Sequence, residues 1–356
     1  MTRPDLKGFL LHEDGLVRDS VSFRFFDSWS KDDDLAPLTL EACRRFGEEA
    51  TLNLLSFGCR FPLDARGLVD ALRALAESHP PFVEQWVSLA PIELVEARSE
   101  LVHSVASFRT KTRLKRRASF RRMAPTELWR RLEALSRRLD TRAAGPRDWD
   151  EREDLVEAVA AVDRKEAVCE RAARLQEVDS PYLRGALIEL AAAIDPKGAP
   201  ELLVALLGSP DEGLARVAAR ALAKCEEASV VRCIRARYPN DSRRFRRLAL
   251  RVLAALPSSE SEGVLHQILE SERDPGLRGR IFDGLRFRFS PESSELLRRE
   301  LEERSSAMIG KEIRKALYVF DRIQGVDESR WRGYRDELDA RGEAEVYFHI
   351  PFLDRA

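Results

Sequence analysis

Apolar residues in the second half of the chain recur at helical spacing, and the same pattern begins again about every 31 residues. Leu214, Val217, Ala218, Ala221 and Leu222 fall at i, i+3, i+4, i+7 and i+8, which predicts one buried helical face. The equivalent helix recurs in steps of 31, 31, 32 and 32 around Leu183, Leu214, Phe245, Leu277 and Ile309. Fixed periods of this length are typical of stacked helical repeats.

Polar residues followed by proline mark several predicted helix starts, at Ser180-Pro181, Asp274-Pro275 and Ser290-Pro291. A side-chain oxygen caps free backbone N–H groups, and proline suits the first helical position. In the clearest unit the sequence predicts Ser209 as the cap, with Glu212 completing a capping box. Because the turns are short, each helix is expected to lie antiparallel to the one before it, giving about five pairs between residues 150 and 342.

These units resemble HEAT-like repeats, in which a short acidic turn precedes a helix with an apolar residue, an arginine and an alanine. Leu214, Arg216 and Ala219 approximate the pattern, and its closest form near the N-terminus is Asp14, Val17 and Arg18. The resemblance, to a HEAT-like protein of bacterial type, implies an all-α fold: a right-handed α-solenoid, or superhelix, of antiparallel helical hairpins. It implies little about activity, since such arrays include scaffolds, adaptors, nucleic-acid binders and, rarely, enzymes.

Arginines in these units have two possible roles. Under the resemblance, Arg18, Arg216 and Arg247 are expected to bond acidic or carbonyl groups of an adjoining turn, with Asp14 and Asp211 as candidate partners. The alternative is that they line a concave groove. We favour the structural role.

The chain divides into four predicted segments: a divergent helical-repeat region (1–108), a basic junction with an amphipathic helix (109–149), the HEAT-like repeats (150–342) and a tail (343–356). Aromatic residues are more frequent in the first segment, where a predicted helical hairpin contains Phe23, Phe26, Trp29, Leu35, Leu38, Ala42 and Phe46. The tail clusters β-forming residues and is expected to cap the last helical pair, since solenoid ends need a cap. Its alternative is insertion into a partner or a second copy.

Charge is distributed unevenly along the chain. The window 109–147 holds fourteen Lys and Arg residues against three acids, whereas the whole chain has a net charge of −1. Such a segment predicts a nucleic-acid or other polyanion interface, because cations neutralise phosphates and release counterions. The candidate residues, which include two from a second cluster, are Arg109, Lys111, Arg113, Lys115, Arg116, Arg117, Arg121, Arg122, Arg232 and Arg235.

Two other interpretations of the basic segment remain open. In the favoured one, arginine stems cover apolar helix flanks and the segment docks on the acidic remainder of its own molecule. In the other, the segment binds an acidic protein partner.

The sequence contains no recognisable catalytic or metal-binding motif. Its five histidines and five cysteines show no metal-ligand spacing and no disulfide framework, so neither metal nor cofactor is predicted. The N-terminus lacks the apolar core of a signal peptide and no stretch is apolar enough to span a membrane, which predicts a cytoplasmic protein without a membrane partner. Four of the cysteines are expected to be buried, inert thiols.

The sequence therefore favours a non-enzymatic scaffold or adaptor that binds a protein partner, with polyanion binding as the alternative. A minor alternative is a HEAT-like alkyl-base DNA glycosylase. It would use Trp86, Trp129, Trp149 and Trp331, with acidic Asp148, Asp150 and Glu151 beside one of them. These tryptophans are more simply read as core or inter-helix residues.

Overall fold

The computed structural model describes residues 6–27, 34–47, 87, 108–141, 145–256, 258–303, 307–325, 331 and 333–334. Every regular element in these ranges is helical, which confirms the all-α prediction. The tail, and all of 48–107 except Val87, lie outside the described residues, as do the helices predicted there. No helix within the described ranges is long and apolar enough to cross a membrane.

The helices follow one another closely along the chain. A 3-10 segment, Leu6–Leu11, precedes α1 (Gly15–Asp27) and α2 (Leu35–Phe46). The later helices are α3 (Phe108–Arg121), α4 (Pro125–Thr141), α5 (Pro146–Val162), α6 (Lys165–Ala173), α7 (Pro181–Ile194), α8 (Ala199–Leu206), α9 (Glu212–Leu222), α10 (Glu227–Arg237), α11 (Arg243–Ala255), α12 (Ser259–Ser271), α13 (Pro275–Leu285), α14 (Pro291–Glu303) and α15 (Ala307–Ile323).

The chain forms two compact units. One is continuous, Phe108–Arg280, and the other combines Met1–Ser107 with Ile281–Ala356. We call them the central unit and the terminal unit. The four segment boundaries drawn from the sequence stay predictions.

Helices of the central unit contact one another in a regular order. Helix α3 contacts α5, α5 contacts α7, α7 contacts α9 and α9 contacts α11, and we call this row the first layer. In a second layer, α8 contacts α10 and α10 contacts α12. The two layers meet where α8 packs on α9 and α12 on α11, while α4 packs on α5 and α7.

The repeat positions found in the sequence share one structural place, the third residue of a helix. There the backbone N–H donates to the side chain of the residue that caps the helix. The N···O distances are 3.2 Å for Leu183 to Ser180 Oγ, 3.0 Å for Leu214 to Asp211 Oδ1, 3.2 Å for Phe245 to Ser242 Oγ and 3.2 Å for Leu277 to Asp274 Oδ1. The sequence period therefore records the spacing of the capped helix starts.

The predicted caps at Ser180 and Asp274 are confirmed, and so is Ser290, whose Oγ accepts from the Ser293 N–H at 3.1 Å. The predicted cap at Ser209 is wrong. Asp211 caps α9 instead, and the Ser209 hydroxyl accepts from the Asp211 N–H at 3.2 Å. Two polar residues flank Pro210, and the second provides the stronger, charged acceptor for the helix terminus.

Apolar stripes predicted from the sequence are buried. Leu128, Leu132, Leu135 and Leu139 of α4 are each at most 2% exposed. In α9, Leu214, Ala218, Ala221 and Leu222 are buried, whereas Val217 is half-buried. Small alanines on these faces permit close helix packing.

The terminal unit joins residues that are far apart in sequence. Helix α1 contacts α15, and the Tyr318 hydroxyl donates to Asp14 across 304 residues of chain. In the same unit, the buried Asp321 accepts from Trp331 Nε1 at 3.0 Å. A simple open stack has contacts only between neighbouring repeats, so the α1–α15 contact departs from that pattern.

Candidate interaction surfaces

The basic helix α3 is joined to α5 by arginine–carboxylate pairs. Arg113 Nε donates to Asp154 Oδ1 at 2.9 Å, and its Nη1 and Nη2 reach Asp150 and Glu153 at 3.1 and 3.0 Å. Arg116 donates to the other oxygen of Asp154 through Nε at 2.9 Å and Nη2 at 2.6 Å. The Asp154 side chain is fully buried, so the two guanidinium groups supply its hydrogen bonds away from solvent.

A third pair extends the joint by one helical turn. Arg117 Nη2 lies 2.8 Å from both carboxylate oxygens of Glu157, and Arg117 is buried. Burial lowers the pKa of Arg113, but the nearby carboxylate of Asp154 outweighs burial and the pKa of Arg113 is raised. The Arg113 guanidinium, which faces α5, is therefore held in its charged form.

These contacts locate part of the basic segment. For Arg113, Arg116 and Arg117, docking on the protein's own acidic surface is what the structure shows. The same three residues were candidates for polyanion binding. Their guanidinium groups would have to leave α5 carboxylates to contact a phosphate.

Other cations of α3 point away from α5. Lys111, Lys115 and Arg122 are spaced i, i+4 and i+11, which places them along one side of the helix and just beyond its end. Lys115 and Arg122 are exposed, Lys111 is half-exposed, and none of the three pairs with a carboxylate among the described residues. Arg121 is half-buried, and the side chain of Arg109 lies outside the described part of the chain.

The second basic cluster does not continue this side of α3. Arg232 and Arg235 are exposed on α10, which belongs to the second layer, whereas α3 belongs to the first. Arg232 Nη2 donates to Ser229 Oγ at 3.3 Å within its own helix. Eight of the ten candidate cations are thus divided between the contact of α3 with α5, an exposed side of α3 and a separate helix.

An arginine recurs at the fourth residue after the helix cap. In several repeats its guanidinium group bonds to a neighbouring turn. Arg18 Nη1 donates to the carbonyls of His12 and Glu13 at 2.8 and 2.9 Å, and its guanidinium lies 4.1 Å from the Phe46 ring centroid. Arg278 Nη1 similarly donates to the Leu269 carbonyl at 2.9 Å. The predicted bonding of a repeat arginine to turn carbonyls is confirmed for Arg18.

Two more arginines at this position reach forward to the next repeat. Arg246 Nη1 lies 2.9 Å from Glu272, and Arg184 Nη2 lies 3.6 Å from Asp211. The structural role predicted for Arg216 is wrong, because Arg216 is one residue later and pairs only with Glu212 of its own helix among the described residues. Counting four residues from each polar cap in the sequence would have found Arg184, Arg246 and Arg278.

Several arginines converge on the exposed start of α9. Glu212 Oε1 lies 2.9 Å from Arg216 Nη2 and 3.5 Å from Arg247 Nη2. Arg244 Nη1 donates to the carbonyls of Ser209 and Pro210 at 3.0 and 2.7 Å. The hydrogen bond from Arg216 lowers the pKa of Glu212, and the charges of Arg244 and Arg247 lower it further. This cluster carries more positive than negative charge.

An aromatic pair lies at the starts of α5 and α7. The ring centroids of Trp149 and Tyr182 are 5.6 Å apart and Trp149 is 36% exposed, so of the two predicted positions, core or inter-helix, Trp149 occupies the inter-helix one. The core position is confirmed for Trp129, which is buried, donates to Asp163 and has Arg171 4.2 Å from its ring centroid. Trp86 lies outside the described residues.

The described part of the chain contains no group of three or more His, Cys, Asp or Glu side chains that could hold a metal ion. Cys43, Cys169, Cys225 and Cys233 are half-buried rather than buried, and Cys59 lies outside the described residues. Burial raises the pKa of Cys169, and it raises that of Cys225 to about 12. Thiols with raised pKa values are poor nucleophiles near neutral pH.

The described residues thus define an all-α protein with a central row of capped helices. No family model matches its sequence, and no curated protein matches it. An engineered protein whose crystal structure was solved by the Northeast Structural Genomics Consortium is 15% identical, with 89% of this chain and 88% of that chain covered and a TM-score of 0.31.

Proposed function

We propose that this protein is a non-enzymatic interaction scaffold or adaptor whose central unit is a HEAT-like solenoid. The observation that carries the proposal is the arrangement of caps and arginines that repeats along that unit. At each of four helix starts a polar side chain caps the third residue, and at Arg184 and Arg246 an arginine reaches the following repeat. A row of helices connected by such contacts presents successive helices in a fixed order.

Charge supports a binding role for the outer surface of that row. Buried pairs such as Arg113–Asp154 hold helices together, while other charged side chains of the first layer remain exposed. Regular helical stacks offer long surfaces for partners, because neighbouring repeats place similar positions side by side.

The proposal is tested by tagging the protein in its native cell and capturing it after mild cross-linking in several growth states. A scaffold should recover at least one other protein in a constant ratio to itself, above the level found with the tag alone. Recovery of the protein by itself in every state would overturn the proposal.

A second candidate function is polyanion binding, favoured by the exposed positions of Lys111, Lys115 and Arg122. Replacing all three with glutamine should weaken binding to duplex DNA and reduce the slope of log K against log salt by about 3. The matched control replaces three exposed cations elsewhere in the central unit, Arg174, Lys197 and Lys224. Electrophoretic titration with duplex and single-stranded DNA and RNA at two salt concentrations makes the measurement. Equal binding by the two variants would reject this surface.

A further inference from the structure

The aromatic pair and the arginine cluster lie along the same edge of the first layer. Trp149 and Tyr182 are at the starts of α5 and α7, and Glu212 and Arg216 are at the start of α9. Helices α5, α7, α9 and α11 contact one another in that order. Their starts are adjacent, since the Trp149 ring meets Tyr182 and Arg244 of α11 bonds the turn before α9.

The start of α7 also meets the start of α9. Arg184 Nη2 lies 3.6 Å from Asp211 Oδ2, and a Cβ added at Gly185 would lie 3.9 Å from Val217. The edge is therefore continuous from the aromatic pair to the arginine cluster.

Both ends of this edge are open to solvent. Trp149 is 36% exposed, and the side chains of Arg216 and Arg247 are 56% and 48% exposed. Arg220, one turn after Arg216, is exposed and pairs with no carboxylate among the described residues. Arg216 and Arg247 share the carboxylate of Glu212, and Arg220 adds an exposed positive charge one turn further along α9.

We propose that this edge binds an extended acidic segment of a partner protein, with a large apolar residue against Trp149 and Tyr182 and acidic residues against Arg216, Arg220 and Arg247. The inference rests on the proposed scaffold function and gives the chemistry of its partner. Guanidinium groups bind carboxylates through paired hydrogen bonds, and an exposed tryptophan beside a tyrosine provides apolar contact area.

Helix packing sets the spacing that the partner needs. Neighbouring packed helices lie about 8–10 Å apart, so the two steps from the aromatic pair to the arginine cluster span roughly 16–20 Å. An extended chain advances about 3.3 Å per residue. The apolar residue and the acidic residues of the partner should therefore be about five or six positions apart.

Charge around the aromatic pair favours a protein segment over a nucleic acid. Trp149 is flanked in sequence by Asp148, Asp150, Glu151 and Glu153, and the Glu153 side chain is 58% exposed. All four acids pair with Arg113 or Arg138, so this end of the edge is close to neutral and offers little attraction to a phosphate backbone, which carries its charge uniformly. A peptide can concentrate its acidic residues at the arginine end alone.

The test measures binding of the full-length protein to a peptide series. Each fluorescein-labelled peptide carries one phenylalanine and two adjacent glutamates in a Ser/Gly background, with the separation varied from two to ten residues. Fluorescence anisotropy should show tightest binding near five or six. Single-stranded DNA of equal charge is the competing probe.

Two triple variants make the result specific. Replacing Arg216, Arg220 and Arg247 with glutamine should weaken the best peptide at least about tenfold, and Trp149→Ala should do the same. The control replaces Arg174, Lys197 and Lys224 with glutamine and should bind like the wild type. Circular dichroism and thermal unfolding confirm that each variant is folded.

Three results would overturn the inference: no peptide binding at low salt, no dependence on separation, or equal binding by both triple variants. Arginine-dependent preference for the DNA would overturn it in favour of a polyanion. Cellular capture with the arginine variant separates this failure from failure of the scaffold proposal. If wild type and variant recover the same partners equally, the scaffold proposal stands and its binding surface lies outside this edge.

Discussion

The buried carboxylate of Asp154 accepts a hydrogen bond of 2.9 Å from Arg113 Nε, although the two residues are 41 positions apart. The other oxygen of Asp154 accepts from Arg116, so one side chain on α5 holds two cations of α3. Helix α3 is rich in charge, and this carboxylate is its central attachment to α5. Removing this carboxylate should destabilise the protein far more than removing a carboxylate on the surface.

Asp154→Asn should lower the free energy of unfolding by about 3 kcal/mol, because Arg116 loses its carboxylate and Arg113 loses the buried one of the three that it contacts. Glu153→Gln is the matched control. It contacts the same Arg113 but its side chain is 58% exposed, so the loss should stay below about 1 kcal/mol. Urea unfolding followed by circular dichroism measures both. Equal losses would contradict the central role of Asp154.

The capped start of α9 gives a second prediction. Asp211→Ala should cost about 1 kcal/mol of stability, since the Leu214 N–H loses its acceptor. Ser209→Ala should cost less than about 0.5 kcal/mol, because Ser209 lies before the cap. Thermal unfolding of the two variants compares them directly. A larger loss for Ser209→Ala would restore the start predicted from the sequence.

Arg18 gives a third prediction, which concerns the place of the repeat arginine. Arg18→Lys should destabilise the protein by about 2 kcal/mol, because lysine cannot reproduce the bonds from the buried guanidinium to two turn carbonyls or its contact with Phe46. Arg216→Lys should change stability by less than about 0.5 kcal/mol, since its pair with Glu212 is exposed. Denaturant midpoints distinguish the two positions, and similar shifts would show that both serve the same role.

Glu272 gives a pH-dependent prediction. Burial raises the pKa of its carboxyl, but the hydrogen bonds from the Asp274 N–H and the Tyr238 hydroxyl, with the charge of Arg246, outweigh burial and lower the pKa below 4.5. A carboxylate with a lowered pKa in the folded state stabilises the protein above its unfolded pKa. That stabilisation is lost as pH falls through the folded value.

The wild type should therefore exceed Glu272→Gln in stability near pH 7, with the difference shrinking below about pH 4.5. The control is Glu270→Gln, at an exposed position near the end of α12, and its effect on stability should be small. Unfolding curves between pH 3 and 7 measure the difference. A constant gap across this range would contradict the role assigned to Glu272.

The sequence predicted the features that depend on residues close together in the chain, such as helix starts and buried helix faces. The spacing of Leu183, Leu214 and Phe245 identified the repeat because each follows its own cap by three residues, and the leucines of α4 revealed a buried face by their period. The start of α9 was misplaced because two polar residues flank Pro210 and local pattern does not choose between them.

Pairings across space were beyond the sequence. Nothing in the spacing of Arg113 indicates that Asp154 is its partner, because the register between two helices depends on the packing of both. The choice between a core and an inter-helix position for Trp149 was beyond the sequence for the same reason. A tryptophan at helical spacing fits either position until the neighbouring helix, with Tyr182, fixes how much of its ring is covered.

The contact between α1 and α15 has a consequence for how the protein is made. The ribosome releases α1 (Gly15–Asp27) almost 300 residues before α15 (Ala307–Ile323), which at about 5–20 residues per second is a delay of roughly 15–60 s. During that time Leu16, Val17 and Val21, all buried in the finished protein, lack α15. All of the central unit is synthesised before α15 emerges, so the terminal unit is the last part of the nascent chain to assemble.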